Sequence, residues 1–382
     1  MRRLPRTLVA CTGVLAAGLV VVPSVAGAQG TLAGQGYGYP TGQLGATAAG
    51  AGGASAEIDP ATPLNPAVLS AGSRYSIFMQ VEPESRRTTA DGASATTRIV
   101  RFPVFSASGA IGRVAVGASF STFLDRTFSN TYADSQVVGG VTLPSTLTAA
   151  SNGAITDARF AVAYQIRPRV HVGAALHSFV GENRLVFGRS FPDSSGIGGL
   201  QQSSVMNYGG RAVSVGVLFL PIDGLIVGLS ARSSGPLVAR QDEAKVAEAD
   251  VPTRVGIGAS YIGIPNTTIS ARIERTRWSR MDALATAAVT TFDGTDVGVG
   301  VEAVGPKLAG LPSTLRLGLR DRTLPFGVGT TQVSERALSA GAGIPVSRGR
   351  GQIDLAVQRA DRRAGDATER GWLVSIGLGI RP

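Results

Sequence analysis

From about residue 73 to the C-terminus, hydrophobic and polar residues alternate with a period of two. In Arg113–Thr122, Val114, Val116, Ala118 and Phe120 share one face, and Arg113, Ala115, Gly117 and Ser119 share the other. Phe160, Val162, Tyr164 and Ile166 repeat the pattern, as do Val213, Val215, Val217 and Phe219. So do Leu315, Leu317 and Leu319, and the final run Trp372, Val374, Ile376, Leu378 and Ile380. Successive side chains of a strand point to opposite faces, so each run reads as a strand with one apolar face and one polar or small face. Helical periodicity is nearly absent.

The pattern predicts strands at about 73–82, 96–107, 111–127, 153–167, 169–182, 204–220, 224–237, 251–263, 267–280, 295–305, 313–322, 334–345, 350–361 and 370–381. That makes about fourteen. Most run ten residues or more, against ~5–6 for a soluble strand and ~9–11 for one that spans a bilayer. Long and short connections alternate throughout, with 8 to 25 residues on the odd ones and 1 to 7 on the even ones. Outer-membrane barrels have this asymmetry, with short periplasmic turns and longer outside loops. The expected fold is therefore all-β: a transmembrane antiparallel β-barrel over residues 73–382. Pro103 interrupts the second strand, which in a closed barrel implies a bulge or a gap in hydrogen bonding.

Residues 1–28 read as an export signal, with Arg2, Arg3 and Arg6, an apolar stretch from Thr7 to Val22, and Ala26-Gly27-Ala28 as the cleavage site. Residues 29–72 do not alternate. They hold ten Gly, two acids (Glu57 and Asp59) and no base. Scattered apolar anchors such as Leu32, Leu44, Ile58, Leu64 and Val68 suit a compact N-terminal plug (hatch) inside a barrel better than a solvated linker.

Composition narrows the function. The chain has 382 residues, 36 Lys+Arg against 26 Asp+Glu, and a formal net charge of +10. The basic residues are almost all Arg, spread along the chain, which argues against nucleic acid as a partner. Cys11, the only Cys, falls in the predicted signal, and there are two His, His171 and His177. That leaves no thiolate chemistry and little to build a dedicated metal site or hold a cofactor, so none is expected. His177 and Ser178 are adjacent and point to opposite faces, so they share no proton directly; a His–Ser pair from different strands stays open, with nothing in the sequence to specify one. The chain reads as a non-enzyme.

The run Gly42-Gln43-Leu44-Gly45-Ala46-Thr47-Ala48-Ala49-Gly50-Ala51-Gly52-Gly53-Ala54-Ser55-Ala56, followed by Asp59-Pro60-Ala61-Thr62-Pro63-Leu64-Asn65-Pro66-Ala67-Val68-Leu69, resembles the N-terminal region of the long-chain fatty acid outer-membrane transporters, the FadL-like family. The resemblance implies a fourteen-stranded barrel with an N-terminal hatch to which Asn65, Pro66 and Ala67 belong. It also implies uptake of fatty acids or other hydrophobic compounds, with a kinked early strand opening the wall beside the hatch. Pro103 and Gly117 are the candidates for that lateral opening. Two departures stand out: only two Trp, hence thin aromatic girdles, and a C-terminus reading Ile380-Arg381-Pro382 without an aromatic residue.

Arg159, Arg232, Arg272, Arg316 and Arg320 fall on polar faces. Arg grips a carboxylate with two parallel hydrogen bonds, so Arg159, Arg272, Arg316 and Arg320 are candidates for a fatty-acid head group. Each has a competing role in lumen ion pairing: Arg272 with Glu274, and Arg320 with Asp354 or Glu302. Phe78, Phe102 and Phe179 are the candidate apolar lumen lining, with Phe179 on the face of His177. The expected protein is a bacterial outer-membrane channel for passive uptake of hydrophobic small molecules, with outer-membrane lipid and the barrel-assembly machinery as further partners. A diffusion porin for hydrophilic solutes and a non-transporting scaffold barrel are the alternatives.

Overall fold

The computed structural model describes residues 32, 38–90, 93–284, 290–308 and 310–381, so the expected export signal lies outside the described residues. Fourteen antiparallel strands form the wall. They are β1 (Tyr75–Ala90), β2 (Ala93–Arg101, resumed at Val104–Ile111), β3 (Val114–Asp125), β4 (Val141–Arg167), β5 (Val170–Ser190), β6 (Leu200–Phe219) and β7 (Leu225–Arg232, resumed at Pro236–Gln241). The second half is β8 (Thr253–Ile264), β9 (Thr267–Arg277), β10 (Gly294–Leu308), β11 (Leu311–Val328), β12 (Thr331–Val346), β13 (Gly351–Ala364) and β14 (Ala367–Ile380). Each strand pairs with the next, and β14 pairs with β1 from Thr368↔Thr89 to Ile380↔Ile77. The fourteen strands close into a barrel, which satisfies most of the wall's backbone internally.

Burial in this barrel is inverted. Outward positions carry the large hydrophobics: Val215 is 57% exposed, Val255 61%, Leu317 57% and Phe160 54%. Inward positions carry the buried charges: Arg159 6%, Arg272 3%, Glu335 2% and Arg362 0% exposed. Water as sole solvent gives the opposite arrangement. An apolar band outside and a polar interior are the signature of a membrane barrel.

The strands of sequence and structure agree in number and order but differ at the long-connection end. There the chain stays in strand conformation well past the expected boundaries, so residues 83–90, 93–95, 362–364 and 367–369 are continuing strand. The 128–152 connection is itself a hairpin, with Phe128–Val138 paired to the first residues of β4. Ala244–Asp250 pairs likewise with the end of β7. Polar, Ser/Thr-rich composition reads as loop, yet two-sided polar hairpins suit strands that rise into water.

β2 breaks at Phe102-Pro103, and the break reverses the phase of the strand. Below it, Phe105 faces outward and Val104 inward. Above it, Val100 and Phe102 face outward, at 62% and 73% exposure, and Ile99 and Arg101 inward. A one-residue slip moves every following side chain to the other face. Phe102 therefore lies outside the barrel, and its expected place in the lumen is corrected. The β2–β3 ladder stops at Val104↔Ser121, followed by one bond from the Thr122 amide to the Pro103 carbonyl. Beyond it, Leu124 and Asp125 of β3 pair with Pro40 and Tyr39 of the N-terminal segment.

Candidate functional site

Residues 38–72 lie against the inward faces of the strands. A short helix α1 (Ala46–Gly50) packs on β12 and β13, and a 3-10 turn (Pro66–Ala71) packs on β4, β5 and β6. Backbone lies on backbone here. A Cβ on Gly318 would sit 2.1 Å from the Ala51 carbonyl carbon, and one on Gly216 would sit 2.0 Å from the Asn65 Oδ1. Wall glycines thus admit the segment.

Polar anchors hold it. The Asn65 Oδ1 accepts from the Ala67 amide at 3.0 Å, an N-cap just ahead of Pro66, and its Nδ2 donates to the carbonyls of Glu57 (3.0 Å) and Val217 (3.2 Å). Asn65, Pro66 and Ala67 thus form one local device seated on β6. The buried Glu57 carboxylate accepts from Arg254 and, at 2.6 Å, from Ser230. Tyr39 sits in a cage of four guanidiniums, Arg86, Arg101, Arg322 and Arg362, with carbons 4.6–5.2 Å from its ring centre. Glu84 and Glu335 bridge its guanidiniums, and Glu369 pairs with Arg362. Sequence reading missed it, although the inward parity of Glu82, Glu84 and Arg86 on β1 was its signal.

An apolar cluster forms inside the barrel from β3, β5 and the turn after β9. Phe123 meets Phe179 edge-on at 5.0 Å and stacks on Trp278 at 5.4 Å. Ile155, Leu237 and Met281 complete this buried cluster. Arg232 lies over it, 5.0 Å from the ring of Phe123 and 5.5 Å from that of Phe179. Beside it a hydrogen-bonded chain crosses three strands. The His177 Nδ1 is 2.8 Å from the Asp157 Oδ1, and its Nε2 is 2.8 Å from the Ser214 Oγ. The Gln43 side chain of the N-terminal segment donates to the same Asp157 at 3.1 Å.

The lumen arginines fall into two kinds. Arg272 bridges Glu274 and Asp296, and Arg316 bridges Glu302 and Asp354. Arg320 grips Asp296 with two hydrogen bonds, of 2.8 and 2.6 Å. The expected partners of Arg320, Asp354 and Glu302, belong instead to Arg316. Arg159 and Arg232 differ: both are 6% exposed, neither forms a salt bridge among the described residues, and the Nε of each has no hydrogen-bond partner. Arg232 has one long hydrogen bond, from its Nη2 to the Pro252 carbonyl at 3.4 Å, and buried guanidinium groups are costly unless paired. Arg159 is the direct cross-strand neighbour of His177, and Arg232 of Ser214.

Of the remaining predicted residues, Phe179 lies in the apolar cluster. Phe78 is buried at the far side of the lumen against α1, where it closes on Gly377. Pro103 stands at the wall break. Gly117 faces inward beneath Leu69, whose Cδ1 would lie 3.1 Å from an added Cβ.

Between the N-terminal segment and the aromatic cluster, a cavity lined by Gln43, Phe123, Arg232 and Trp278 holds about 50 Å³ of free space. A second, of about 210 Å³, lies at the short-turn end between Ile58, Pro60, Ile226 and Ile262. Ligand pockets usually need ~300 Å³ or more, so an amphiphile enters the aromatic cavity only if the segment or the side chains around it yield.

No protein-family model matches the chain, and no curated protein does. Solved structures do. A FadL homologue of Pseudomonas aeruginosa superposes with a TM-score of 0.64 at 13% identity, over 90% of this chain and 99% of the other. The toluene transporter TbuX of Ralstonia pickettii gives 0.57 at 16% identity, over 89% and 98%. The toluene transporter TodX of Pseudomonas putida gives 0.56 at 16% identity, over 90% and 98%. The chain has a FadL-like fold. In each case the superposition takes in about nine-tenths of this chain and nearly all of the other.

Proposed function

We propose that this chain is an outer-membrane channel for passive uptake of hydrophobic small molecules that carry a carboxylate, with long-chain fatty acids as the substrate class. The carrying observation is an apolar aromatic cluster beneath Arg232, with Arg159 beside His177 on the neighbouring strands, two buried arginines left without a salt bridge where every other candidate lumen arginine has one. A neutral hydrocarbon has no use for them. The segment 29–72 acts as the hatch, moored by Glu57, Asn65 and the cage around Tyr39. Substrate enters from the long hairpins, binds with its head group at Arg159 and Arg232, displaces part of the hatch, and leaves through the wall where the β2–β3 ladder stops, past Pro103 and Gly117. A filled lumen argues against a general diffusion pore, and transport needs no covalent step.

The test compares a long-chain fatty acid with its methyl ester by titration of the purified protein. The account expects the acid to bind more tightly by about 2 kcal/mol, roughly thirtyfold, because it pairs buried charge. Arg159→Gln/Arg232→Gln removes that preference. Equal binding of acid and ester by the unaltered protein overturns the carboxylate reading.

A further inference from the structure

The outward face of the wall carries a charge array that uptake does not use. Across β11, β12, β13, β14 and β1, one register row reads Asp321, Arg336, Asp361, Arg370 and Arg87, each the direct partner of the next. The row just inside it holds Leu319, Leu338, Arg359 and Trp372, then Ser85 on β1 and Arg98 on β2. The row just outside it places Arg363 between Ser334 and Thr368. These side chains point away from the lumen: those of Arg336, Asp321 and Arg370 are 84%, 58% and 58% exposed.

Depth and charge identify the surroundings. Rows on one face are two residues, about 7 Å, apart along a strand. The apolar band ends at Leu319, Leu338 and Trp372, and an exposed Trp at that edge marks the membrane interface. The charged row therefore lies one step beyond the hydrocarbon, at head-group level. Over this row and the rows on either side of it, six arginines accompany two aspartates. The aspartates order the array: Asp321 holds Arg336 at 2.7 Å, and Asp361 holds Arg359 at 3.3 Å and Arg370 at 2.9 Å. Exposed ion pairs add little to stability, so the barrel itself gains little from them. Arginine forks match phosphate oxygens, and the carboxylates between them suit a divalent cation bridging to phosphate. From β12 to β2 the array spans four strand spacings, about 19 Å, which is wide for one phosphodiester.

We propose that this face binds the head group of a doubly phosphorylated outer-leaflet glycolipid of the lipid A type. The proposal rests on the reading of the chain as an outer-membrane barrel, but not on the lumen ligand. Native mass spectrometry of the full chain in detergent tests it, with bis-phosphorylated lipid A, dephosphorylated lipid A and phosphatidylglycerol as probes. Bis-phosphorylated lipid A is expected to bind best. Arg336→Gln/Arg370→Gln should weaken it about 25-fold, about fivefold per arginine near an anionic head group. Arg211→Gln/Arg275→Gln, outward arginines on β6 and β9, should leave it unchanged. Heat-dependent gel mobility confirms that each variant is folded. Equal binding of dephosphorylated lipid A or of phosphatidylglycerol, or undiminished binding by Arg336→Gln/Arg370→Gln, overturns the proposal. Cell fractionation reports separately whether the outer-membrane reading itself holds.

Discussion

Arg320 and Arg232 occupy the same kind of position, inward-facing on a strand, yet their partners set them different tasks. Arg320 is saturated by Asp296, and removing one partner of a buried pair strands the other. Arg320→Ala should therefore destabilise the barrel by about 3 kcal/mol, measured by denaturant unfolding in detergent, and leave fatty-acid affinity unchanged. Arg232→Gln should do the reverse. The polar faces were legible from alternation alone, which put Arg159, Arg232, Arg272, Arg316 and Arg320 inside. Their partners were not, because Arg320 meets Asp296 diagonally across β10 and β11, whereas its direct register partner is Gly298. Alternation fixes a face but not a register. The N-terminal segment holds a titrating group of its own. Burial raises the pKa of Asp59 above 3.8, despite hydrogen bonds from Thr62 and the Ala61 amide. A raised acid favours the folded state most below pH 3.8, and that contribution is lost as pH rises through its folded-state value. The melting temperature of the unaltered protein minus that of Asp59→Asn should therefore fall from acid towards neutral pH. A difference that grows with pH contradicts this assignment.

At the scale of elements, Pro103 was the most informative residue in the sequence. It pointed to a fault in the second strand, and the structure has a break in β2 there. The phase reversal that puts Phe102 outside was not legible, since a proline marks an interruption without saying how many residues it consumes. The long hairpins escaped notice because strands rising into water need no apolar face. Two predictions belong here. Ser106 and Ser119 are direct partners across the β2–β3 seam. Cross-linking Ser106→Cys/Ser119→Cys should abolish fatty-acid uptake in cells, with recovery on reduction, if substrate leaves through that wall. Uptake retained in the oxidised form rules the exit out. Gly318→Leu forces a side chain into the backbone at Ala51 and Gly52. It should unseat the hatch and raise the conductance of single barrels in planar bilayers, whereas an unchanged conductance contradicts the hatch reading.

For the whole molecule, the pattern of exposure decides the environment. Outward Leu, Val and Ile with inward Arg, Glu and Asp leave lipid outside and a charged, filled lumen within. That much follows from alternation, strand count and the asymmetry of the connections. The proposed ligand does not, because that reading rests on Arg159 and Arg232 lacking the carboxylate partners that Arg272, Arg316 and Arg320 have, which only the closed barrel shows. The most direct test of the central claim is mass spectrometry of small molecules extracted from the detergent-purified protein, with Arg159→Gln/Arg232→Gln in parallel. The account predicts a carboxylated long-chain amphiphile at about one per chain in the unaltered protein and little in the variant. An empty barrel that also fails to bind fatty acid on titration, or an uncharged hydrocarbon held equally by both proteins, contradicts it.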